Sequence, residues 1–169
     1  MRSVAVRPAS AQDLQAIDGL LLRARRSSYD PAVVEDSALG LDERARAEYA
    51  HIVDERPEGA ILVVVGEQGR AVGFAHAEAG APGSVGRLIS IYVDPDRWRR
   101  GVGRALMQHT VDWFRARGCD DAALWVRASN IRAQAFYAAG GWQPDGTERI
   151  RSVAGGVEVR EVAYGRSLG

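Results

Sequence analysis

The turn at residues 97–104 carries residue types that bind phosphate groups. It reads Arg-Trp-Arg-Arg-Gly-Val-Gly-Arg and stands between an apolar strand pattern and an amphipathic helix pattern. Backbone N–H groups at a helix start are free to bind an anion, and the helix dipole favours negative charge there. Gly101 and Gly103 place no Cβ in the path of a ligand, and the arginines supply bidentate phosphate donors. The pattern predicts an anion site for a group such as pyrophosphate.

Two other interpretations of this turn stay open. In the first, the glycines serve only helix–strand packing and the arginines are solvated. In the second, the turn is a dinucleotide-binding fingerprint, but that motif requires Gly-x-Gly-x-x-Gly and Leu106 occupies the third glycine position. The fingerprint also usually follows the first strand of an alternating pattern, whereas three antiparallel strands are predicted before this turn. The dinucleotide interpretation is therefore the weakest.

A second group of functional residues lies on one predicted helix face. Asn130, Ala133 and Tyr137 follow one another at spacings of three and four residues, which places them on the same side of a helix. The small side chain of Ala133 between two polar ones leaves room for a ligand against that face. The alternative is a helix-capping asparagine and a half-buried tyrosine whose hydroxyl contacts water.

Hydrophobic periodicity predicts the elements that position both groups. The expected strands are 4–7, 61–65, 72–79, 85–93 and 122–126, followed by a hairpin around Gly155-Gly156. The expected helices are 14–27, 42–54, 102–117 and 131–139. Gly118 is placed to end the third helix and Asn130 to cap the fourth.

The element order indicates a single α/β domain of the α+β type over residues 1–169. Its sheet is expected to be mixed but mostly antiparallel, with about seven strands and about four flanking helices. Strands 85–93 and 122–126, joined by a helix, are expected to be parallel. In the last strand, Val157 and Val159 share a parity that Val162 and Tyr164 do not, which predicts a one-residue β-bulge near 160–161.

Composition excludes several classes of protein. The 169 residues are 46% hydrophobic, and the 22 basic and 22 acidic residues cancel, which argues against a dedicated nucleic-acid binder. All basic residues are arginine, so lysine Schiff bases and a P-loop lysine are excluded. One cysteine, Cys119, and three scattered histidines show no metal-ligand spacing, so no metal is expected. No signal peptide or membrane span is apparent, so a cytoplasmic protein without a membrane partner is expected.

Residues 85–142 resemble the GNAT superfamily of acetyl-CoA-dependent N-acetyltransferases. The segment 130–142 follows the family's Asn-x-x-Ala-x-x-(aromatic or aliphatic)-Tyr-x-x-x-Gly-(aromatic) pattern throughout, and Ile-Tyr-Val-Asp-Pro at 91–95 matches its strand motif. The turn matches at Gly101 and Gly103 but carries Trp98 where the family usually has Gln or Arg. The element order is similar as well, which implies a splay between the fourth and fifth strands.

The resemblance implies transfer of an acetyl group from acetyl-CoA to a primary amine of a small molecule or an exposed peptide. A non-catalytic acyl-CoA-binding or regulatory module on the same fold is the alternative. Tyr137 is the expected general acid, since a phenol with a pKa of about 10 is protonated when the CoA thiolate departs. The expected cofactor contacts are Ile91, Tyr92, Val93, Arg99, Arg100, Gly101, Val102, Gly103, Arg104, Asn130, Ala133 and Tyr137.

The resemblance supplies no general base. Arg87 stands at the fourth-strand position where many relatives carry a glutamate. On the preceding strand, His76 and Glu78 alternate onto one face, which faces either the substrate or solvent. With Tyr29, in a segment that builds acceptor pockets in such folds, they are the candidate substrate residues. Relatives often dimerise, so a homodimer is among the expected partners.

Overall fold

Seven strands form one sheet in the part of the chain that the computed structural model describes, residues 4–27, 40–68, 70–152 and 156–169. The strands are β1 (Val6–Pro8), β2 (Ala60–Glu67), β3 (Arg70–Glu78), β4 (Val85–Val93), β5 (Asp121–Arg127), β6 (Gln143–Ser152) and β7 (Glu158–Ser167). Their spatial order is β1-β2-β3-β4-β5-β7-β6. The β4–β5 pair is parallel and the other pairs of described strands are antiparallel. The predicted mixed, mostly antiparallel sheet is confirmed.

Four α-helices among the described residues flank the sheet. They are α1 (Leu14–Arg26), α2 (Glu43–Glu55), α3 (Val102–Ala116) and α4 (Ile131–Ala139). Asp42 caps α2 by accepting the Ala45 N–H at 2.7 Å. Gly118 lies just beyond α3 with a φ of 74°, as expected for a helix-ending glycine. None of these helices is both long enough and apolar enough to cross a membrane.

The sheet separates two apolar cores. On the α3 and α4 side, the buried residues include Leu106 and Phe114. On the α1 and α2 side, they include Ile17 and Phe74. Helix α3 approaches β4 so closely that a Cβ on Gly86 would lie 2.5 Å from the Phe114 ring, which explains the glycine there.

Strands β4 and β5 pair at their starts and then separate. Their last paired residues are Leu88 and Leu124, although β4 continues to Val93 and β5 to Arg127. The pairing of β3 with β4 skips Ile89, so this extra residue forms a bulge in β4. A bulge bends and twists its strand, which directs the second half of β4 away from β5. The splay predicted between the fourth and fifth strands is confirmed.

The β-bulge predicted near 160–161 is wrong. Strand β7 pairs with β5 without any register shift, and the irregularity in its pairing with β6 lies on β6, between Pro144 and Glu148. The apolar parity changes because Glu161 takes an inward position on the face of Val157 and Val159. It is buried there because Arg149 and Arg151 donate hydrogen bonds to its carboxylate at 2.8 and 3.2 Å.

A buried carboxylate holds the turn that follows β4. Asp94 is 1% exposed and accepts hydrogen bonds from Arg23 of α1 at 2.8 Å and from Arg70 of β3 at 3.1 Å. Burial by itself raises the pKa of the Asp94 carboxyl. The hydrogen bonds from Arg23 and from the Asp96 N–H, with the positive charges of both arginines, outweigh burial and hold that pKa below its usual range. Asp94 therefore ties the end of β4 to α1 and β3.

We expect Asp94→Asn to lower the free energy of unfolding by about 2 kcal/mol, because Arg23 and Arg70 lose a charged and buried acceptor. Urea titration measures the change. The matched control is Glu67→Gln, which removes the exposed partner of Arg97. That control should change the free energy of unfolding by less than about 0.5 kcal/mol. Equal losses in the two variants would contradict the role assigned to Asp94.

Candidate active site

The glycine turn presents an open helix N-terminus. Gly101 is the N-cap residue of α3 and has a left-handed φ of 85°. It has no side chain, so it makes no capping hydrogen bond to the first turn of the helix. A Cβ at Gly101 would meet no described atom within 4 Å, so the backbone is accessible there. Arg99 also has a positive φ, 61°. Left-handed residues in a turn bring successive N–H groups together into an anion-binding concavity, which suits a phosphate group.

The arginines of this turn have two different environments. Arg99, Arg100 and Arg104 are exposed beside the helix start. Arg97 instead donates from Nε to the Glu67 carboxylate on β2, at 2.6 Å. Three guanidinium groups can therefore reach an anion at the turn, and the fourth is held on the sheet.

Trp98 explains how this turn is packed without the family's usual residue. Its Nε1–H donates to the Val93 carbonyl oxygen at 3.0 Å. The guanidinium carbon of Arg132, at the start of α4, lies 3.6 Å from the centre of an indole ring face, a favourable cation–π distance. Trp98 thus joins the end of β4, the turn and α4.

Gly103 has a packing role that Gly101 lacks. A Cβ at Gly103 would lie 3.2 Å from the Phe136 ring of α4 and 3.6 Å from Val93. The packing interpretation of the glycines therefore applies to Gly103, and access for a ligand is not the only reason for glycine there. Gly101 is required by its backbone conformation.

The predicted face of α4 is formed, and each of its polar residues has a structural contact. The Asn130 side-chain oxygen accepts the Ala133 N–H at 3.0 Å, so Asn130 caps the helix. Tyr137 is 8% exposed, more buried than the half-buried alternative assumed. Its ring packs against Trp142 and Tyr164, with ring centroids 6.5 and 6.2 Å away. Core packing thus fixes the position of the phenol ring.

The second half of β4 offers a backbone edge. Ile91, Tyr92 and Val93 pair with β3 on one side, while on the other side the pairing with β5 has already ended at Leu88. Ile91 and Val93 pack into the core beneath α3. Tyr92 lies on the other face of the sheet, where its ring stacks on that of Phe74 on the neighbouring strand β3. An extended ligand can add to such an edge as a short strand. This edge runs directly into the glycine turn.

His76 and Glu78 lie on the same side of β3, as predicted, and Glu48 of α2 joins them. His76 is 0% exposed, so the solvent-facing interpretation is wrong for this residue. Burial lowers the pKa of His76 from 6.5 to about 4, and the negative charge of Glu78 opposes that shift. Sequence reasoning missed Glu48 because the approach of α2 to β3 is a tertiary contact that no sequence spacing encodes.

The remaining candidates are placed as follows. Arg87 pairs with Glu78 across β3 and β4, so the expected base position carries a neutralised cation. Tyr29 lies outside the described residues.

Trp125, which the sequence analysis did not select, is 36% exposed where β5 has left β4, and the Arg149 guanidinium stacks 4.2 Å from a ring centre. The strand pattern alone predicts burial for Trp125; in β5 it alternates with the buried Leu124 and Val126 and so lies on the opposite, exposed face.

Comparison with known proteins finds a family model, curated relatives and solved structures that match this chain. The family model described as "Acetyltransferase (GNAT) family" matches residues 22–142. The chain is 50% identical over 50 residues to the [ribosomal protein bS18]-alanine N-acetyltransferase of Escherichia coli strain K12, covering 30% of this chain and 34% of that protein. It is 35% identical over 100 residues to an aminoglycoside N(6')-acetyltransferase type 1 of Stenotrophomonas maltophilia, covering 55% of this chain and 64% of that protein.

One solved structure extends the similarity to nearly the whole chain. The crystal structure of the ribosomal-protein-S18-alanine N-acetyltransferase from Escherichia coli superposes with a TM-score of 0.72 at 26% identity. The match covers 98% of this chain and 94% of that one. The matched segments of the two curated relatives, by contrast, span less than two thirds of their lengths.

The buried His76 predicts a pH-dependent stability. Its pKa is about 4 in the folded chain against an ordinary 6.5, so between these values only the unfolded chain binds the proton. The free energy of unfolding should therefore fall as pH drops from 6.5 towards 4, by up to about 3 kcal/mol from this residue. Urea titrations across this range measure the slope.

Two variants separate His76 from other titrating groups. His76→Phe should remove the slope above the range in which carboxylates titrate, because position 76 then has no imidazole to bind the proton. His51→Gln, at an exposed position of α2, should keep the slope. An unchanged slope in His76→Phe would contradict the assignment.

Proposed function

The chain belongs to the acetyltransferase (GNAT) family, and on that premise we propose that it transfers an acetyl group from acetyl-CoA to a primary amine of a small molecule or an exposed peptide. The observation that carries the proposal is the opening between β4 and β5, which ends at the open N-terminus of α3. A backbone edge followed by an anion-binding turn fits a ligand that joins an extended amide arm to a pyrophosphate.

The cofactor contacts follow from this placement. The phosphates of CoA bind the N–H groups of residues 101–104 and the exposed guanidinium groups of Arg99, Arg100 and Arg104. The pantetheine arm lies along residues 91–93 as an added half-strand. Asn130 and Ala133 present the start of α4 to the same ligand. Asn130 does so while its side-chain oxygen caps the helix, so its amide N–H groups are the donors available to a ligand.

Tyr137 acts as the general acid in the proposed mechanism. The neutral amine forms a C–N bond with the thioester carbonyl carbon, and the C–S bond breaks when the tetrahedral intermediate collapses. The phenol donates its proton to the departing sulfur. The amine nitrogen loses one proton to solvent and the phenolate regains one from solvent, so the products are the amide, the CoA thiol and neutral Tyr137. Contacts with Trp142 and Tyr164 hold the ring in one position, as general acid catalysis requires.

A non-catalytic acyl-CoA-binding module is the second candidate, and Arg87 is the observation that favours it. That residue pairs with Glu78 and places no carboxylate at the β4 position where many relatives carry a base. The two functions are distinguished by measuring CoA release from acetyl-CoA across a panel of amines and amino-terminal peptides. Release with an amine supports the enzyme; tight acetyl-CoA binding without release on any amine supports the module.

We expect Gly103→Val to weaken acetyl-CoA binding by at least about tenfold, because a branched side chain crowds the first turn of α3, whose N–H groups are proposed to bind the phosphates. Isothermal titration calorimetry measures the affinity. Since a Cβ at Gly103 also approaches Phe136, the double variant Gly103→Val with Phe136→Ala is the control that removes this clash. The loss should persist in the double variant. Wild-type affinity in either protein would place the phosphates elsewhere.

We expect Tyr137→Phe to lower turnover by at least about tenfold on an accepted amine, since proton transfer of this kind contributes about 10²–10⁴-fold. Acetyl-CoA affinity should stay near the wild-type value, because phenylalanine keeps the ring contacts. Single-turnover kinetics show whether chemistry limits the rate, and Tyr164→Phe is the matched control for loss of a neighbouring hydroxyl. Unchanged single-turnover chemistry in Tyr137→Phe would leave the residue with a packing role alone.

A further inference from the structure

Three side chains that the proposed mechanism does not use converge between α2 and β3. His76 Nε2 lies 3.8 Å from Glu48 Oε1 and 4.0 Å from Glu78 Oε1. The three ligating atoms all lie within 4.8 Å of one another. Both distances from His76 exceed a hydrogen bond, so His76 is bonded to neither carboxylate, whereas Glu48 and Glu78 approach each other closely enough for a side-chain hydrogen bond.

His76 is the residue that makes this cluster unusual. Its side chain is 1% exposed, and neither ring nitrogen has a hydrogen-bond partner among the described residues. Tyr49 packs edge-on against the imidazole, with ring centroids 5.2 Å apart. Buried polar groups are normally bonded, and an unsatisfied one calls for an explanation. A ligand that donates to Nε2 supplies it.

The two carboxylates make the cluster attractive to a cation. Burial raises the pKa of the Glu48 carboxyl, and the negative charge of Glu78 raises it further, against the opposing charge of Arg44. Arg87 pairs with Oε2 of Glu78, while Oε1 is the atom that faces His76. The Glu48 side chain is 41% exposed and that of Glu78 is 27% exposed, so a ligand from solvent can reach both.

The spacing fits an ammonium group better than a metal ion. An ammonium nitrogen about 2.8–3.0 Å from each of the three acceptors lies just outside their plane, on the open side, and directs one N–H to each. A zinc ion needs ligand distances of about 2.0–2.2 Å, so the three atoms would have to move closer together. The neutral imidazole accepts one of the three hydrogen bonds.

The position of the cluster relative to β4 indicates whether an ammonium group bound there is the amine that attacks the thioester or another amine of the same acceptor. His76 pairs with Ser90, just after the bulge, and Tyr49 shares a hydrogen bond of 3.0 Å with that serine. The cluster therefore lies on β3, one strand from the edge of β4 that opens towards β5. Tyr49, which packs on His76, belongs to the core on the α1 and α2 side, whereas Tyr137 belongs to the core on the α3 and α4 side, so the sheet separates the cluster from the proposed general acid. A nitrogen bound at the cluster is not the attacking one.

We propose that Glu48, His76 and Glu78 bind a second, non-reacting ammonium group of the acceptor, so that the acceptor is a diamine or a larger polycationic amine. This inference rests on the proposed acetyltransferase function and names its substrate class. Because the cluster and Tyr137 lie on opposite faces of the sheet, we expect long diamines to fit and 1,2-diaminoethane, whose nitrogens are only two carbons apart, not to fit. Glu48 and Glu78 select for the second charge, and His76 orients it.

The test compares 1,5-diaminopentane with pentylamine, which has the same chain and one ammonium group. The wild-type KM for the diamine should be at least about tenfold lower, the factor expected for one charge-assisted hydrogen-bonded site. Glu48→Gln should remove most of that difference by raising the diamine KM, with the pentylamine KM and both kcat values unchanged. Glu55→Gln, which removes an exposed charge from the same helix, should behave as wild type.

The outcomes separate this inference from the proposed function. Equal KM values for the two acceptors in the wild type, or an equal rise for both in Glu48→Gln, would overturn the second-ammonium site and leave the acetyltransferase intact. If no amine is acetylated, the proposed function fails, and the site is tested by binding alone. In that case 1,5-diaminopentane should shift the ¹⁵Nε2 resonance of His76 in acetyl-CoA-saturated protein but not in Glu48→Gln. No shift in the wild-type protein would overturn the inference.

Discussion

The architecture of the candidate site depends on the point where β4 stops pairing with β5. The extra residue Ile89 bends β4 just beyond its last contact with β5, at Leu88 and Leu124. Beyond Leu88 no strand pairs with the β5 side of β4, in the middle of an otherwise continuous sheet, and the Val93 carbonyl is bonded there by the Trp98 indole. Buried backbone groups require partners. An extended ligand is the simplest way to supply them, so the opening and the proposed cofactor arm have one physical origin.

The opening between β4 and β5 can hold a ligand in a defined position because the segment that follows β4 is held by contacts with other elements. Asp94 binds Arg23 and Arg70 at the strand end, and Trp98 bonds to Val93 while stacking with Arg132. These contacts come from α1, β3 and α4, so three elements determine the position of one short turn. A helix N-terminus binds an anion most tightly when it is already held in its bound position, because binding then loses less free energy to ordering. The same contacts explain why the turn tolerates Trp98.

The two faces of the sheet divide the proposed chemistry. Beneath α3 and α4 the face is apolar around Tyr137, with the proposed phosphate-binding turn at its edge. On the opposite face, charged groups lie among aromatic rings, and the neutral His76 is placed between Glu48 and Glu78. A cofactor bound on the first face and an amine approaching from the second would meet in the gap between β4 and β5. Such an arrangement keeps a negatively charged cofactor apart from carboxylates that would repel it.

The sequence by itself determined the order of the elements and the ends of the four helices to within one residue, because the signals for them are local; the strand ends it placed less closely, as at β1, predicted at 4–7 and found at Val6–Pro8. The bounds of α4, its Asn130 cap and the glycine after α3 depend on residues within about one helical turn of one another. The family's motifs likewise lie in short continuous segments. Tertiary structure alone decided the burial of His76, its encounter with Glu48, the exposure of Trp125 and the inward position of Glu161. Each of these depends on which faces of distant segments meet, and a hydrophobic pattern records only that a side chain is apolar, not what lies across from it.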